Sequence, residues 1–368
     1  MKIVFSSNIS WSIYNFRLPL LKSLQKDGHE IYTVAFKDEY SKMLLEEGFS
    51  FEEINLNNNT TNPIEDFKTL RAYYKIYKKI KPDVICHNAI KPNIYGTIAA
   101  GLMGIPVVNN ISGLGTLFIK KSFSTHVAKL LYKFSQNHAT KVFFQNSDDL
   151  KLFKTNKLID SEKCRVIPGS GVNTNKFKKA YNEVKIHGFR FLFVGRLIYD
   201  KGIREYVDAI QGLKVKYPEV EFDVLGPLYE KNSTGVSKNK LQEWIDNGVI
   251  NYLGKSDNVA GVLKGVNCVV LPSYREGLSK VLIEASSMSL PVITTNVPGC
   301  RDVVVDNVTG LLCKVKDVED LRNKMEKMLL LSVEQRELMG VKARERAVSV
   351  FDEKIIINIY KDAIYSAI

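Results

Sequence analysis

The chain has 368 residues, of which 45% are apolar and 25% are charged, so it has room for two ordinary globular domains. This composition excludes a disordered, collagen-like or disulfide-stapled chain. The five cysteines and five histidines show neither C-x-x-C nor H-E-x-x-H spacing. We therefore expect reduced thiols and no catalytic zinc.

The formal net charge of +12 is concentrated in the first half of the chain. Residues 1–180 contain 26 Lys and Arg against 15 Asp and Glu, whereas residues 181–368 contain 26 against 25. This asymmetry predicts that the first half faces an anionic partner. A basic surface that only aids solubility is the alternative.

The chain begins on a strand-like segment at residues 2–7 and shows no signal-peptide pattern. The most apolar long window, residues 94–119, is interrupted by Pro106, two asparagines and several glycines. We therefore predict no membrane-spanning segment, although binding at a membrane surface stays open.

Strand-like and helix-like segments alternate in the first half, which is typical of an α/β protein with a parallel sheet. The helical patterns lie at 17–27 and 92–103. The predicted strands of this half are 2–7, 30–36, 83–86, 106–110 and 141–145.

The turn-forming segment 167–173 begins a polar stretch, after which the α/β series restarts with a helix from about residue 201. The predicted strands of the second half are 189–195, 221–225, 250–253, 268–272 and 291–295. We predict two doubly wound parallel-sheet domains, residues 1–180 and 181–350. The segment 351–368 is predicted to be a helix with an apolar face.

The segment 271–285 carries the strongest chemical pattern of the chain. A strand is predicted to end near Pro272 and a helix to begin near Gly277, so Glu276 lies at the carboxyl end of the strand. The helix start offers unpaired N–H groups to an anion, and Glu284 follows about two turns later. Two carboxylates so spaced suit the hydroxyls of a sugar and a ribose. A surface helix with two solvated glutamates is the alternative.

A second strand of the same domain ends in Gly195-Arg196, and a helix starts near Lys201-Gly202. Arginine offers a planar fork for phosphate oxygens and lysine a mobile point charge. We expect both to lie at the same sheet edge as Glu276, where they would hold a diphosphate without a metal.

The run G-R-x-x-x-x-K-G, followed by E-G-x-x-x-x-x-x-E, resembles glycosyltransferase family 4, whose members have the GT-B fold of two Rossmann-like domains. The resemblance extends along the whole chain. Residues 12–17, 91–96 and 113–115 further resemble bacterial enzymes that extend a sugar on undecaprenyl diphosphate in O-antigen, capsule or N-glycan assembly. The subgroup resembled transfers N-acetylgalactosamine from its UDP donor.

The resemblance implies a retaining, metal-independent transferase without a cofactor, consistent with the lack of a D-x-D motif. Arg196 and Lys201 would bind the donor diphosphate and stabilise the leaving nucleotide. Glu276 would hold the transferred sugar together with the amides of the three residues that follow, and Glu284 the ribose. These three residues are Gly277, Leu278 and Ser279. The base is expected near Pro227 and Ser256.

The acceptor side is expected in residues 1–180, with Asn15, Arg17 and Lys91 as acceptor-binding residues. Many members of the resembled family carry an N-domain histidine near the sugar. His87 ends a predicted strand and is a candidate, but a buried structural histidine is the alternative. Residues 351–368 are expected to pack back on the N-terminal domain.

Two basic amphipathic segments, 67–81 and 118–134, account for the charge asymmetry. Such helices can lie on an anionic leaflet, whereas a core-facing helix with a solvated basic face is the alternative. The apolar positions are Leu70, Tyr73, Tyr74, Tyr77 and Ile80 in the first, and Phe123, Val127, Leu130, Leu131 and Phe134 in the second. We expect a cytoplasmic protein, peripheral on the inner face of the plasma membrane.

Four other functions remain compatible with parts of the pattern. A nucleic-acid-binding protein would share the basic, tyrosine-rich helices, but no helix-turn-helix, RNA-recognition or zinc-finger pattern is present. A GT-B sugar-nucleotide epimerase would share the donor site, as would a transferase using GDP-mannose. A non-catalytic sugar-binding subunit is the fourth alternative.

Overall fold

A computed structural model describes residues 1–55, 62–114, 123–179, 188–230 and 232–368, with the side chains of residues 123 and 124 outside the description. The chain forms two compact units. Unit 1 is Met1–Ser170 with Lys354–Ile368, and unit 2 is Gly171–Glu353. The boundary between Ser170 and Gly171 comes earlier than the predicted boundary at residue 180. The reason is that Val172 and Phe177 are buried in the core of unit 2.

Unit 1 is built on a seven-stranded, wholly parallel sheet with the strand order β3-β2-β1-β4-β5-β6-β7. Its strands are β1 (Lys2–Ile9), β2 (Glu30–Phe36), β3 (Ser50–Glu53), β4 (Val84–Asn88), β5 (Val107–Ile111), β6 (Lys141–Phe144) and β7 (Cys164–Val166). The prediction missed the two edge strands, β3 and β7, which are too short to show a hydrophobic pattern.

Helices cover this sheet. They are α1 (Ser10–Lys26), α2 (Glu39–Glu46), α3 (Pro63–Ile80), α4 (Thr97–Gly101), α5 (Phe123–Gln136) and α6 (Ser147–Thr155). The first begins earlier than the predicted start at residue 17, although Pro19 lies inside it. A π-helical turn, Pro92–Gly96, precedes α4. Gly96 allows this turn to pack on the imidazole of His87, since a Cβ there would lie 2.5 Å from Nε2.

Unit 2 repeats the architecture with a six-stranded parallel sheet in the order β10-β9-β8-β11-β12-β13. Its strands are β8 (Arg190–Val194), β9 (Glu221–Leu225), β10 (Asn251–Tyr252), β11 (Cys268–Leu271), β12 (Val292–Thr295) and β13 (Gly310–Cys313). The last of these was not predicted. The predicted fold class, two doubly wound α/β domains, is confirmed.

The helices of unit 2 are α7 (Ile203–Lys216), α8 (Lys238–Asp246), α9 (Val259–Leu263), α10 (Lys280–Ser287), α11 (Val318–Leu330) and α12 (Val333–Phe351). One correction bears on the site: α10 begins at Lys280 and not near Gly277. Residues 276–279 are therefore a loop between the strand and the helix.

The last helix, α13 (Glu353–Tyr365), packs against unit 1. Tyr360 is fully buried and meets Phe143 edge to face, with ring centroids 5.0 Å apart. The apolar face of α13 packs in the same core as α1, on one side of the unit 1 sheet. Burying this face away from water is favourable. The residues of this face are Ile356, Ile359, Tyr360, Ala363 and Ile364.

The described part of the chain contains no helix that is both long and apolar enough to cross a bilayer.

Candidate functional site

Two loops meet at the carboxyl edge of the unit 2 sheet, one after β8 and one after β11. These strands are neighbours, with Cys268 paired to Phe191. The loop after β8 passes through a single 3₁₀ turn, Tyr199–Lys201, into α7. Arg196 and Lys201 therefore lie on the edge where Glu276 follows β11, which is the edge at which open α/β sheets bind ligands.

Gly202 sets how closely the two loops approach. Its φ of +76° is left-handed, and a Cβ at this position would lie 2.1 Å from the carbonyl oxygen of Pro272. The amide of Tyr274 reinforces the approach by donating to the carbonyl of Asp200 at 2.9 Å. A side chain at residue 202 would push the turn that carries Lys201 away from the loop that carries Glu276.

Lys201 and Glu276 form an ion pair in which the ammonium Nζ donates to Oε1 of the carboxylate. The two side chains are only 18% and 13% exposed. The sequence predicted separate roles for them at a phosphate and a sugar, whereas the structure joins them. An ammonium has three hydrogens to donate and a carboxylate accepts at two oxygens, so each keeps capacity for a ligand while the pair holds it in position.

Arg196 is exposed, and its guanidinium lies over the ring of Tyr229, 5.4 Å from the ring centroid. Stacking of this kind orders a long side chain through a cation–π contact. The contact with Tyr229 uses the flat face of the guanidinium. The N–H groups at the edge of the guanidinium, which are the groups that bind phosphate oxygens, take no part in this contact.

The loop that carries Glu276 is fixed by the loop after β12. The amide of Glu276 donates to the carbonyl of Pro298 at 3.1 Å, and the amide of Ser279 donates to the carbonyl of Gly299 at 3.0 Å. The Ser279 amide, expected at the transferred sugar, is thus bound within the protein, which corrects that expectation. The proposed roles of the Gly277 and Leu278 amides stay predictions.

Glu284 lies on α10 and is only 8% exposed, so the alternative of a solvated surface glutamate is wrong for this residue. Burial raises the pKa of its carboxyl to about 7, and the charges of Lys280 and Lys176 oppose this shift. A carboxyl held away from water in this way gains from hydrogen-bond donors that a ligand brings.

The loops after β9 and β10, where the base was expected, lie beside the loop after β8. The amide of Gly226 donates to the carbonyl of Gly254 at 2.7 Å, and a Cβ on Gly226 would lie 1.8 Å from the carbonyl oxygen of Gly195. Pro227 is exposed here, and the hydroxyl of Ser256 accepts from the amide of Asn258 at 3.0 Å. The sheet edge brings these residues together, while their contact with a base stays a prediction.

Within the described ranges, no group of three or more His, Cys, Asp or Glu residues is placed to hold a metal ion.

In unit 1, the cationic residues expected at an acceptor diphosphate already have protein partners. Arg17 is 4% exposed, donates from Nη2 to Oδ1 of Asn88 at 2.9 Å, and lies over the ring of Tyr360. Lys91 is 8% exposed and pairs with Asp66 at 3.1 Å. Both are buried structural cations, which corrects the picture of open phosphate-binding side chains.

Asn15, the third expected acceptor residue, lies on α1, and its Nδ2 donates to the carbonyl of Trp11 at 3.0 Å, one turn earlier. Its predicted contact with an acceptor stays a prediction.

His87 is fully buried, as the alternative of a buried structural histidine predicts. Its Nε2 lies 2.7 Å from the hydroxyl of Tyr77, and its Nδ1 lies 3.0 Å from Oδ1 of Asn109. Burial lowers the pKa of the imidazole to about 4, against the opposing effect of the Asn109 hydrogen bond. A neutral ring with both nitrogens engaged holds the strand and is not free to bind a sugar.

The two basic segments differ in what their apolar residues do. In α3, Tyr73, Tyr77 and Ile80 are buried, so this helix follows the core-facing alternative. Phe67 and Tyr74 of the same segment are nevertheless exposed, at 67% and 38%. In α5, by contrast, Leu130 and Phe134 are 68% and 56% exposed. The side chain of Phe123, together with Gly115, Lys120 and Lys121, lies outside the described residues.

The core face of α5 is formed instead by smaller and polar residues, with one tyrosine among them. These residues are Thr125, Ala128, Tyr132, Ser135 and Gln136. The apolar residues at 130 and 134 thus face outward and do not serve the core.

Two family models match the chain. Residues 175–346 match "Glycosyl transferases group 1", and residues 2–146 match "Glycosyl transferase 4-like". Together with the sheet-edge site of unit 2, these matches define a glycosyltransferase of the GT-B fold. The group 1 model covers most of unit 2 and the 4-like model most of unit 1, so the chain as a whole is a glycosyltransferase.

Curated relatives cover from 71% to 98% of the chain in the two cases that follow. A Campylobacter jejuni protein named N,N'-diacetylbacillosaminyl-diphospho-undecaprenol alpha-1,3-N-acetylgalactosaminyltransferase is 27% identical over 98% of this chain and 97% of its own. The Escherichia coli UDP-Gal:alpha-D-GlcNAc-diphosphoundecaprenol alpha-1,3-galactosyltransferase is 28% identical over 71% and 70%.

Among solved structures, Anabaena HepE in complex with UDP and glucose matches with a TM-score of 0.82 and 18% identity over the full length of both chains. A Rickettsia africae glycosyltransferase matches with a TM-score of 0.81 and 19% identity, over 100% of this chain and 98% of its own. At these identities the likeness shows the fold alone.

The sequence did not single out Gly202 for its close approach to Pro272, nor Asn88 and Asn110 at the carboxyl edge of unit 1. A signal existed for the asparagines, because each lies at the end of a strand-like run, where polar residues often serve ligands. Their buried setting is visible only in the fold.

Proposed function

We propose that the protein is a retaining glycosyltransferase that moves an N-acetylhexosamine, such as N-acetylgalactosamine, from its UDP donor to a saccharide on undecaprenyl diphosphate. The product would enter a surface polysaccharide or a glycoprotein glycan. The observation that carries the proposal is the Lys201–Glu276 ion pair at the carboxyl edge of the unit 2 sheet, the edge where Arg196 also follows a strand. The activities in the names of the Campylobacter and Escherichia relatives support the lipid-diphosphate acceptor.

In the proposed reaction, the bond between C1 of the sugar and the β-phosphate oxygen of UDP breaks. A bond from C1 to the acceptor hydroxyl oxygen forms on the same face of the sugar. The acceptor proton passes to the leaving phosphate, so no protein base is needed. Arg196 and Lys201 would take the place of a metal ion at the diphosphate. UDP leaves with the negative charge that the broken bond placed on it.

Arg196 and Lys201 would stabilise this charge as it develops, which is the main catalytic task at such a centre. Glu276 holds the Lys201 ammonium in place and offers its remaining acceptor capacity to sugar hydroxyls. Glu284, on α10, would accept hydrogen bonds from the ribose. Because its carboxyl is buried, donors supplied by the nucleotide favour its ionised form.

We further propose that the protein is cytoplasmic and peripheral, and that α5 seats unit 1 on the anionic inner face of the plasma membrane. Leu130 and Phe134 are one turn apart and point outward, with Lys133 exposed beside them. Leu102 is 68% exposed and belongs to the same area, because Gly101 lies against the ring of His138, which contacts Phe134. Outward apolar residues beside a basic side chain suit a leaflet surface.

The test of the reaction is UDP release from UDP-N-acetylgalactosamine, with and without a saccharide on a lipid diphosphate. We expect release only when the acceptor is present, and a new glycosidic bond of retained configuration by NMR. Conversion of the UDP-sugar without acceptor would favour an epimerase. Turnover of GDP-mannose alone would replace the proposed donor.

The site assignment is tested by Glu276→Ala, which should abolish transfer, and by Arg196→Ala, which should reduce it strongly. The matched control is Glu243→Ala, which removes a glutamate paired with a lysine, Lys240, on the open surface of the same unit. It should leave turnover unchanged. Near-normal turnover of a folded Glu276→Ala protein contradicts the assignment.

A further inference from the structure

Asparagines lie at the carboxyl ends of three adjacent strands in unit 1. Asn8 lies near the end of β1, Asn88 ends β4, and Asn110 lies in β5 directly opposite Asn88 in the register. Asn93 follows β4 in the π-helical turn. The strand order reverses between β1 and β4, and open α/β sheets bind ligands at such a point. We call these four residues the asparagine cluster.

Two fixed partners set the orientation of these amides. Arg17 can only donate, and its Nε and Nη2 both donate to Oδ1 of Asn88. Nδ2 of Asn110 donates to the same oxygen at 2.9 Å. Nδ2 of Asn93 donates to the backbone carbonyl of Asn110, also at 2.9 Å, and a carbonyl can only accept. The directions of the Asn88, Asn93 and Asn110 amides are therefore determined by their neighbours.

Each member of the asparagine cluster has one buried polar atom without a hydrogen-bond partner among the described residues. The atoms are Oδ1 of Asn8, Nδ2 of Asn88, Oδ1 of Asn93 and Oδ1 of Asn110. Asn93 and Asn110 are 1% and 0% exposed. Unpaired buried polar atoms are uncommon, and four at the carboxyl edge of one sheet require an explanation, which a ligand's hydrogen-bonding groups would supply.

Asn109, the neighbour of Asn110 on β5, shows what a purely structural asparagine looks like here. It is equally buried, and its oxygen lies within hydrogen-bond distance of His87 and Thr97. Its Nδ2 donates to Thr97 and Gln136. Both ends of this amide are satisfied inside the protein.

We propose that the asparagine cluster binds hydroxyl groups of the acceptor saccharide. Three unpaired acceptors and one unpaired donor require a ligand that brings hydrogens to donate. Sugar hydroxyls donate and accept, whereas a phosphate ester offers only acceptor oxygens at neutral pH. The cluster therefore recognises the sugar and not the diphosphate of the acceptor, and Arg17 is a positioning residue that orients Asn88. Calling this sugar the acceptor rests on the proposed function.

The test measures binding of three probes to the full chain by saturation-transfer NMR and calorimetry: N-acetylglucosamine, inorganic pyrophosphate and UDP. Asn8→Ala removes one unpaired oxygen without breaking a hydrogen bond seen among the described residues, and Asn93→Ala removes another. The matched control is Asn109→Ala. Circular dichroism and UDP binding show which variants are folded. If Asn93→Ala does not fold, Asn8→Ala alone decides the result.

We expect Asn8→Ala and Asn93→Ala to weaken binding of the sugar about 10-fold, the loss of one well-formed hydrogen bond. Asn109→Ala should keep the wild-type sugar affinity and lose only stability. Pyrophosphate and UDP should bind alike to all folded variants.

Three results overturn the inference: a sugar affinity unchanged by the two cluster substitutions, pyrophosphate weakened by them, or a wild-type chain that does not bind the sugar. Failure of UDP to bind the wild-type chain is a separate outcome. It contradicts the proposed function, while the sugar results still decide the role of the asparagine cluster.

Discussion

The substitution Gly202→Ala tests whether the close approach of two loops builds the donor site. An alanine Cβ at this position would lie 2.1 Å from the oxygen and 2.6 Å from the carbon of the Pro272 carbonyl. Its left-handed φ costs about 1–2 kcal/mol for any side chain. Relief of the contact adds about 1–3 kcal/mol, as for other overpacked sites. We expect the free energy of unfolding to fall by about 2–5 kcal/mol.

The matched control is Gly248→Ala in the same unit. Gly248 has a φ of +62°, yet a Cβ there would meet no atom within 4 Å. This variant should show the backbone cost alone, about 1–2 kcal/mol. The difference between the two variants isolates the contact with Pro272.

Urea unfolding followed by tryptophan fluorescence measures these losses within unit 2. The chain has two tryptophans, and Trp244 is 5% exposed in the unit 2 core. A Trp11→Phe background leaves Trp244 as the reporter.

Calorimetry with UDP gives the functional part of the same test. Gly202→Ala should weaken UDP binding about 10-fold or more, because displacing Lys201 costs a charge-assisted hydrogen bond. Gly248→Ala should leave UDP affinity unchanged. Equal losses of stability in the two variants, or an unchanged UDP affinity in Gly202→Ala, would refute the reasoning.

Two further predictions concern a buried carboxyl and an exposed helix face. Folded Glu284 keeps its proton up to about pH 7, whereas the unfolded chain releases it near 4.5, so stability should fall by about 3 kcal/mol as the pH rises between these values. Glu284→Gln should lose this dependence in urea unfolding at pH 5 and 8, and an unchanged profile would contradict the burial argument. The double variant Leu130→Ser and Phe134→Ser should weaken sedimentation with anionic liposomes but not UDP binding. Val215→Ser, which removes an 87% exposed valine of unit 2, is its control, and equal liposome binding by all proteins would contradict the membrane role.

Much of the fold was predictable from the sequence because parallel strands buried on both faces form nearly continuous apolar runs. Every predicted strand is present, and the strands missed, β3, β7 and β13, are short edge strands. The start of α10 was misplaced by three residues. The loop before it is held by contacts with Pro298 and Gly299, which lie on a later part of the chain and leave no local signal.

Residue type and position at strand ends were enough to predict which residues of unit 2 share one sheet edge, because parallel strands all end there. Arg196 and Glu276 follow two neighbouring strands of this sheet, as the motif spacing indicated, whereas Glu284 lies within the helix after the second strand. Partner choice was decided only by the tertiary structure. The pairing of Lys201 with Glu276 joins residues 75 positions apart, and it depends on how closely Gly202 approaches Pro272.

In unit 1, the sequence by itself determined the basic charge and the helical periods, since these depend on composition and on local spacing alone. It did not determine which side of each helix faces the core. That choice rests on the shape of the packed interior. Packing buries Arg17 against the ring of Tyr360 and turns Leu130 and Phe134 of α5 outward. The unpaired amides of the asparagine cluster depend on tertiary structure for the same reason, because only packing decides which polar atoms lose water and find no partner.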